Sequence, residues 1–149
     1  MFRFLFISII CAFISISSAL ANENCFIVKE GYKVLKQEGD CATRYSPAST
    51  FKIPLALMGY DSGILEDETN PVFPQKTEYE IFIDAWKGDH NPSTWMRDSC
   101  VWYSRVLTGK LGIKKFKNYV RAFDYGNMDI SGDKGKNNGL SSSWLSSSL

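Results

Sequence analysis

The chain has 149 residues, of which 44% are hydrophobic and 22% charged, and its formal net charge is +1. That is the length of one domain, with enough apolar content for a packed core. Lys and Arg are scattered apart from a short cluster in KLGIKKFKNYVR, so the basic patch that a nucleic acid or an anionic membrane surface requires is not there.

The first residues, MFRFLFISIICAFISISSALA, read as a secretory signal peptide over 1–21. Arg3 supplies the positive end, Phe4 to Ile16 the apolar stretch, and ALA ending at Ala21 the small-residue cleavage site. The apolar run is shorter than the roughly 20 residues a membrane span needs, and no second such run follows. The expectation is a mature chain from residue 22, exported to the periplasm and with no stable membrane span after cleavage.

Export permits disulfides. Between Cys25 and Cys41, the segments CFIVK and YKVLK flank a Glu-Gly turn and predict a β-hairpin. Its open end carries the two cysteines, one on each side, and a Cys25–Cys41 disulfide is favoured over two free thiols. Such a loop contributes about 3 kcal/mol in the chain-entropy model. Cys11 leaves with the signal, and Cys100 reads as a small buried residue.

A polar connection, CATRYSPAS, leads into a helix expected from near Ser49 to Gly59 or Gly63, with Pro54 close to its first turn. The stretch from Glu66 to Thr94 is broken by Pro71, Pro74, Gly88 and Pro92. It reads as surface loop with one ordered piece around Tyr79 to Trp86, and its lone histidine, His90, as a surface residue. TWMRDSCVWYSRVLTGKLG then reads as one helix, with Met96, Val101 and Val106 on one side. GIKKFKNYVRAFDYGN reads as another, with Ile113, Phe116, Val120 and Phe123 at helical spacing and Gly126 past its end. SGDKGKNNG is a turn-rich loop, and SSSWLSSSL is serine-rich but too short to count as low complexity.

The chemistry concentrates in STFK. On a helix, Ser49 and Lys52 share a face, and the following IPLALMG is apolar nearly all round. Burial there disfavours the ammonium form of Lys52. A neutral amine takes the proton of a serine hydroxyl, or combines with carbon dioxide to form a carbamate. Either is a general base beside a nucleophile, an arrangement worth roughly a hundred- to ten-thousand-fold in rate. The pattern alone is weak, because Ser131 and Lys134 repeat it in SGDK. That copy lies in a polar loop, where its lysine stays hydrated.

STFKIPLALMGYDSGIL, HNPSTWMRDSCVWYS, KFKNYVRAFDYGNMDISGDKGKNNGL and WLSSSL together resemble class D serine β-lactamases, in that family's order and near its spacings. The opening CFIV…CATRYSPASTFK resembles a subgroup with paired cysteines. The resemblance implies an α+β fold of the β-lactamase and penicillin-binding transpeptidase type, an acyl-serine mechanism acting on β-lactam small molecules, and antibiotic resistance. It also implies roles. Ser49 would be the nucleophile. Lys52, as N6-carboxylysine, would be the base for acylation and deacylation. Ser99 would relay a proton near the leaving nitrogen. Val101 would pack against the lysine, and Tyr125 and Asn127 of YGN would border the site. Trp144 would donate its indole N–H to the carbamate, and the Ser49 backbone N–H would bind the acyl oxygen. No metal or other cofactor is implied beyond carbon dioxide as the Lys52 carbamate.

The sequence departs from that pattern in one respect. Related serine enzymes use a K-T-G-like strand for the substrate carboxylate and the second oxyanion donor, and neither K-T-G nor K-S-G follows Trp144. The expectation is the helical part of the fold plus the N-terminal hairpin over residues 22–149, without the C-terminal strands, in a truncated and poorly active or inactive form. The alternative function is a penicillin-binding, β-lactam-sensing domain that acylates without turnover.

Overall fold

The computed structural model describes residues 24–149, so the signal peptide expected over 1–21 lies outside the described residues. The chain divides into two compact units, an N-terminal one ending at Thr43 and a second over Arg44–Leu149.

The described part of the first unit is the expected hairpin. Strands β1 (Cys25–Glu30) and β2 (Lys33–Gly39) pair antiparallel, with Cys25 opposite Gly39 and a bulge between Val28 and Lys29. Gly31 turns the chain at φ +57°, a conformation that a side chain would resist. The Cys25–Cys41 disulfide closes the open end. Phe26, Ile27, Val28, Val34 and Leu35 are all exposed, so among the described residues the crosslink and the ladder hold the hairpin.

The second unit is helical. A 3-10 turn (Ala48–Phe51) runs into α1 (Lys52–Asp61), as the STFK reading expects. Helix α1 is apolar all round, and it buries one side only: Leu55, Met58 and Gly59 face inward while Ile53, Leu57 and Tyr60 stay exposed. Gly59 is required by close approach, because a Cβ there would run into the Leu65 side chain. Against α1 lies α3 (Val101–Ala122), and α2 (Pro92–Asp98) packs on α3. Asn91 starts α2 with a reciprocal capping box: its side chain accepts from the Thr94 N–H at 2.9 Å, and its own N–H donates to Thr94 Oγ1 at 3.0 Å. The core is aromatic, with Trp95 stacked on Tyr103 and Phe51 edge-on to Phe116.

Three readings change. The stretch expected as one helix from Thr94 onward is broken at Ser99 and Cys100, where Ser99 adopts a left-handed φ of 54° between α2 and α3. The expected boundary between the two long helices does exist, at Gly112, whose φ of 71° interrupts α3. His90 is not a surface residue but only 3% exposed. Its backbone pairs with Phe73 in a two-residue bridge, and its ring meets Trp102 edge-on. Of the apolar residues read at helical spacing, Phe116 and Val120 are buried, while Met96, Ile113 and Phe123 are exposed.

After α3, the chain turns at Gly126 and returns through a loop and α4 (Gly139–Ser142) to a 3-10 turn at Ser143–Leu145. Helix α4 is fastened to α3 by hydrogen bonds from Thr108 Oγ1 to the Leu140 carbonyl and from Arg105 Nε to the Ser141 carbonyl. The serines of the last segment have structural work. Ser146 and Ser147 donate to the Asp129 carbonyl, and Ser142, Ser143 and Ser147 are buried.

Candidate active site

The start of α1, the first turn of α3 and the last segment meet at a cavity of about 170 Å³. Ser49 is exposed at its rim, in the 3-10 turn that opens with Ala48 at φ +45°. Lys52 lies on the inner side at 7% exposure, with Phe51 and Leu55 beside it in the wall. Val101 and Trp144 complete the lining expected from the sequence, and both are half-buried.

Ser99 Oγ donates to Ser49 Oγ at 3.0 Å. The left-handed backbone of Ser99 makes this contact possible, because it ends α2 and restarts the chain in a new direction two residues before α3 begins. Such a conformation costs a non-glycine residue of order 1–3 kcal/mol, and the cost is commonly found at functional sites. The local alternative for a serine within a helix, bonding back to its own turn, is not adopted.

The Lys52 side chain makes no hydrogen bond or ion pair among the described residues, although its backbone N–H donates to the Ser49 carbonyl. Burial pushes its amine below the usual lysine range, opposed only by the nearby Cys100 thiol. Cys100 is itself fully buried, and burial pushes its thiol up. It is therefore held away from the thiolate form that nucleophilic cysteines need. The second Ser-x-x-Lys copy behaves as its loop context dictates: Lys134 and Ser131 are exposed and line no part of this cavity.

Tyr125 and Asn127 do not line the cavity; they position the segment that does. The Tyr125 ring packs edge-on against Phe51 with centroids 5.4 Å apart. Asn127 donates through its side chain to the Ser146 carbonyl at 2.9 Å and accepts from the Ser148 N–H at 3.1 Å. Gly126, at φ +56°, lies so close to the Ser148 carbonyl that a Cβ would collide with it. From the other side, Tyr45 exchanges two backbone hydrogen bonds with Leu149, and Ser46 Oγ donates to the Trp144 carbonyl at 2.7 Å. Trp144 is thereby held between the residues preceding the nucleophile and the YGN turn.

The sequence reading misses Ala48, Phe51, Leu55 and Ser104 in the lining, and of these only Ser104 has a buried polar head. Ser104 is buried in the cavity wall, where its Oγ accepts the Trp95 indole N–H at 2.9 Å. The available signal is its spacing, since a residue three past Val101 on a helix shares its face.

Known proteins resemble this chain in sequence and fold. A family model of the penicillin binding protein transpeptidase domain matches residues 17–149. The chain is 44% identical over 147 residues to β-lactamase OXA-9 of Klebsiella pneumoniae, covering 94% of this chain and 54% of that protein. It is 44% identical over 132 residues to β-lactamase OXA-1 of Escherichia coli, covering 85% and 46% respectively. The crystal structure of the class D β-lactamase OXA-427 superposes with a TM-score of 0.78 at 52% identity, covering 84% of this chain and 52% of that one. The chain thus spans about half the length of the relatives it matches, and in that half it shares their fold. It belongs to the penicillin-binding protein transpeptidase domain family, as a homologue of the class D, OXA-type β-lactamases.

Proposed function

We propose that these residues carry the nucleophile half of a β-lactam-hydrolysing site that gives antibiotic resistance. The observation that carries the reading is the 3.0 Å contact between Ser99 Oγ and Ser49 Oγ at the mouth of a cavity walled by a buried lysine. Ser49 Oγ attacks the lactam carbonyl carbon, and its proton passes to Lys52. An Oγ–carbon bond forms, the ring carbon–nitrogen bond breaks, and the nitrogen takes a proton through Ser99 Oγ. Water then attacks the acyl-serine ester, gives a proton to Lys52, and restores Ser49. The Ser49 backbone N–H stabilises the developing oxyanion in both halves of the reaction.

The surroundings of Lys52 also fit carboxylation. A buried amine kept from its charged form, with no carboxylate partner and free volume beside it, has what addition of carbon dioxide requires. Carboxylation supplies a carboxylate base at this position. Phe51, Leu55 and Val101 exclude water from the lysine, and Trp144 brings an indole N–H to the same cavity, a donor that a buried anion needs.

Taken alone, the 149 residues hold no K-T-G or K-S-G stretch after Trp144. With residues 1–21 read as a signal peptide, the setting is the periplasm. Incubation with a fluorescent penicillin, followed by gel, tests the reading. Label that decays over time supports hydrolysis, persistent label supports the acylating, sensing alternative, and absence of label on the folded chain contradicts both.

A further inference from the structure

Of the residues around the cavity, Lys52 and Ser104 are the buried ones with a polar head, at 7% and 4% exposure. Ser104 lies on the first turn of α3, beyond Val101, and its hydroxyl is already engaged on one side. The fully buried Trp95 donates its indole N–H to Ser104 Oγ at 2.9 Å. A hydroxyl has one hydrogen to give and two lone pairs to offer. Trp95 occupies one lone pair, which makes the oxygen a poorer acceptor and the hydrogen a better donor. The protein partner for that hydrogen is the Cys100 carbonyl at 3.5 Å, at the outer limit of a hydrogen bond and beyond the usual range. The cavity is the other direction open to it.

We propose that Ser104 is a positioning residue that directs its hydroxyl hydrogen to the head of Lys52, favouring the proton-accepting form of that side chain over the ammonium. Trp95 sets this direction from behind. The inference rests on the reading of Lys52 as the base, and it adds a second donor from the lining that also includes Trp144. The other titratable group acting on Lys52 is the Cys100 thiol, from the link between α2 and α3. It stays protonated through the neutral range because burial raises it, so it does not compete for the role.

The test uses the full chain with lysine carrying carbon-13 at Cε, and Lys52→Met to assign the Lys52 resonance. In buffer free of carbon dioxide, Ser104→Ala moves the Lys52 titration midpoint up by ~1 pH unit, the worth of one hydrogen bond, and Ser104→Thr restores it. Trp95→Phe, which leaves the hydroxyl but not its restraint, moves the midpoint the same way by less. With carbon-13 bicarbonate added, the concentration giving half of the carbamate signal rises ~10-fold in Ser104→Ala. Near-UV circular dichroism identifies the folded variants. An unchanged midpoint in whichever of Ser104→Ala and Trp95→Phe remains folded overturns the proposal, as does failure of Ser104→Thr to restore it. A Ser104-dependent midpoint without any carbamate signal sustains the role of Ser104 and contradicts carboxylation of Lys52, so the two failures are distinguishable.

Discussion

Ser99 reaches Ser49 across fifty residues of sequence, at 3.0 Å between hydroxyl oxygens, and does so from a left-handed backbone. Two independent costs meet in this pair, a strained φ at Ser99 and the ordering of both hydroxyls. Ser99→Gly separates them. It relieves the strain and removes the hydroxyl, so the variant gains up to about 1 kcal/mol of stability while acylation by penicillin falls at least ~100-fold. Urea unfolding and label incorporation read the two effects from one preparation.

Lys52 is a liability to the fold. Its folded pKa lies below the unfolded value of 10.5 because burial disfavours the charge, so the unfolded chain binds this proton more readily. The cost is fully present below the folded pKa and is relieved as pH rises from there toward 10.5. In buffer free of carbon dioxide, Lys52→Met is more stable than the parent at pH 7, by about 1 kcal/mol or more. The difference shrinks as pH approaches 10.5. Urea midpoints across that pH range check the sign, and the same variant no longer acylates.

Gly126 allows the final segment to close. Gly126→Ala places a methyl group against the Ser148 carbonyl at a positive φ, and costs about 2 kcal/mol or more. Asn127→Ala removes the hydrogen bonds to Ser146 and Ser148 with a cost of about 1–3 kcal/mol. Both loosen the segment bearing Trp144, so limited proteolysis cuts after residue 140 before it cuts α1. Lys134→Ala, in the exposed second Ser-x-x-Lys copy, changes neither stability nor labelling.

The Cys25–Cys41 crosslink acts within its own hairpin, where every strand residue is exposed. Its removal by Cys25→Ser with Cys41→Ser costs about 3 kcal/mol of local stability in the chain-entropy model. Hydrogen exchange of β1 and β2 accelerates by ~100-fold or more, while the amides of α3 keep their protection.

The sequence carries much of this site because its signals there are local. STFK followed by an apolar run places Ser49 at a helix start and buries Lys52. Gly112 and Gly126 mark a helix break and a helix end through the backbone freedom of glycine. The hairpin follows from two β-leaning segments around a Glu-Gly turn. What periodicity misses depends on contacts distant in sequence. Nothing in TWMRDSCVWYS interrupts an apolar helical pattern, yet the chain breaks at Ser99, in contact with Ser49. His90 looks like a loop residue until Phe73 pairs with it and Trp102 covers its ring. Ser104 is one serine among many until Trp95 and the cavity give its hydroxyl a direction. Gly126 reads as the end of a helix, and Asn127 beside it also holds the return of residues 146–149.

The central claim is that Ser49 is the nucleophile of this cavity, and intact mass after exposure to benzylpenicillin tests it most directly. The account predicts an increase equal to the whole penicillin, located by peptide mapping on Ser49 and abolished by Ser49→Ala. An adduct that survives Ser49→Ala, or a folded parent chain that gains no mass, would contradict it.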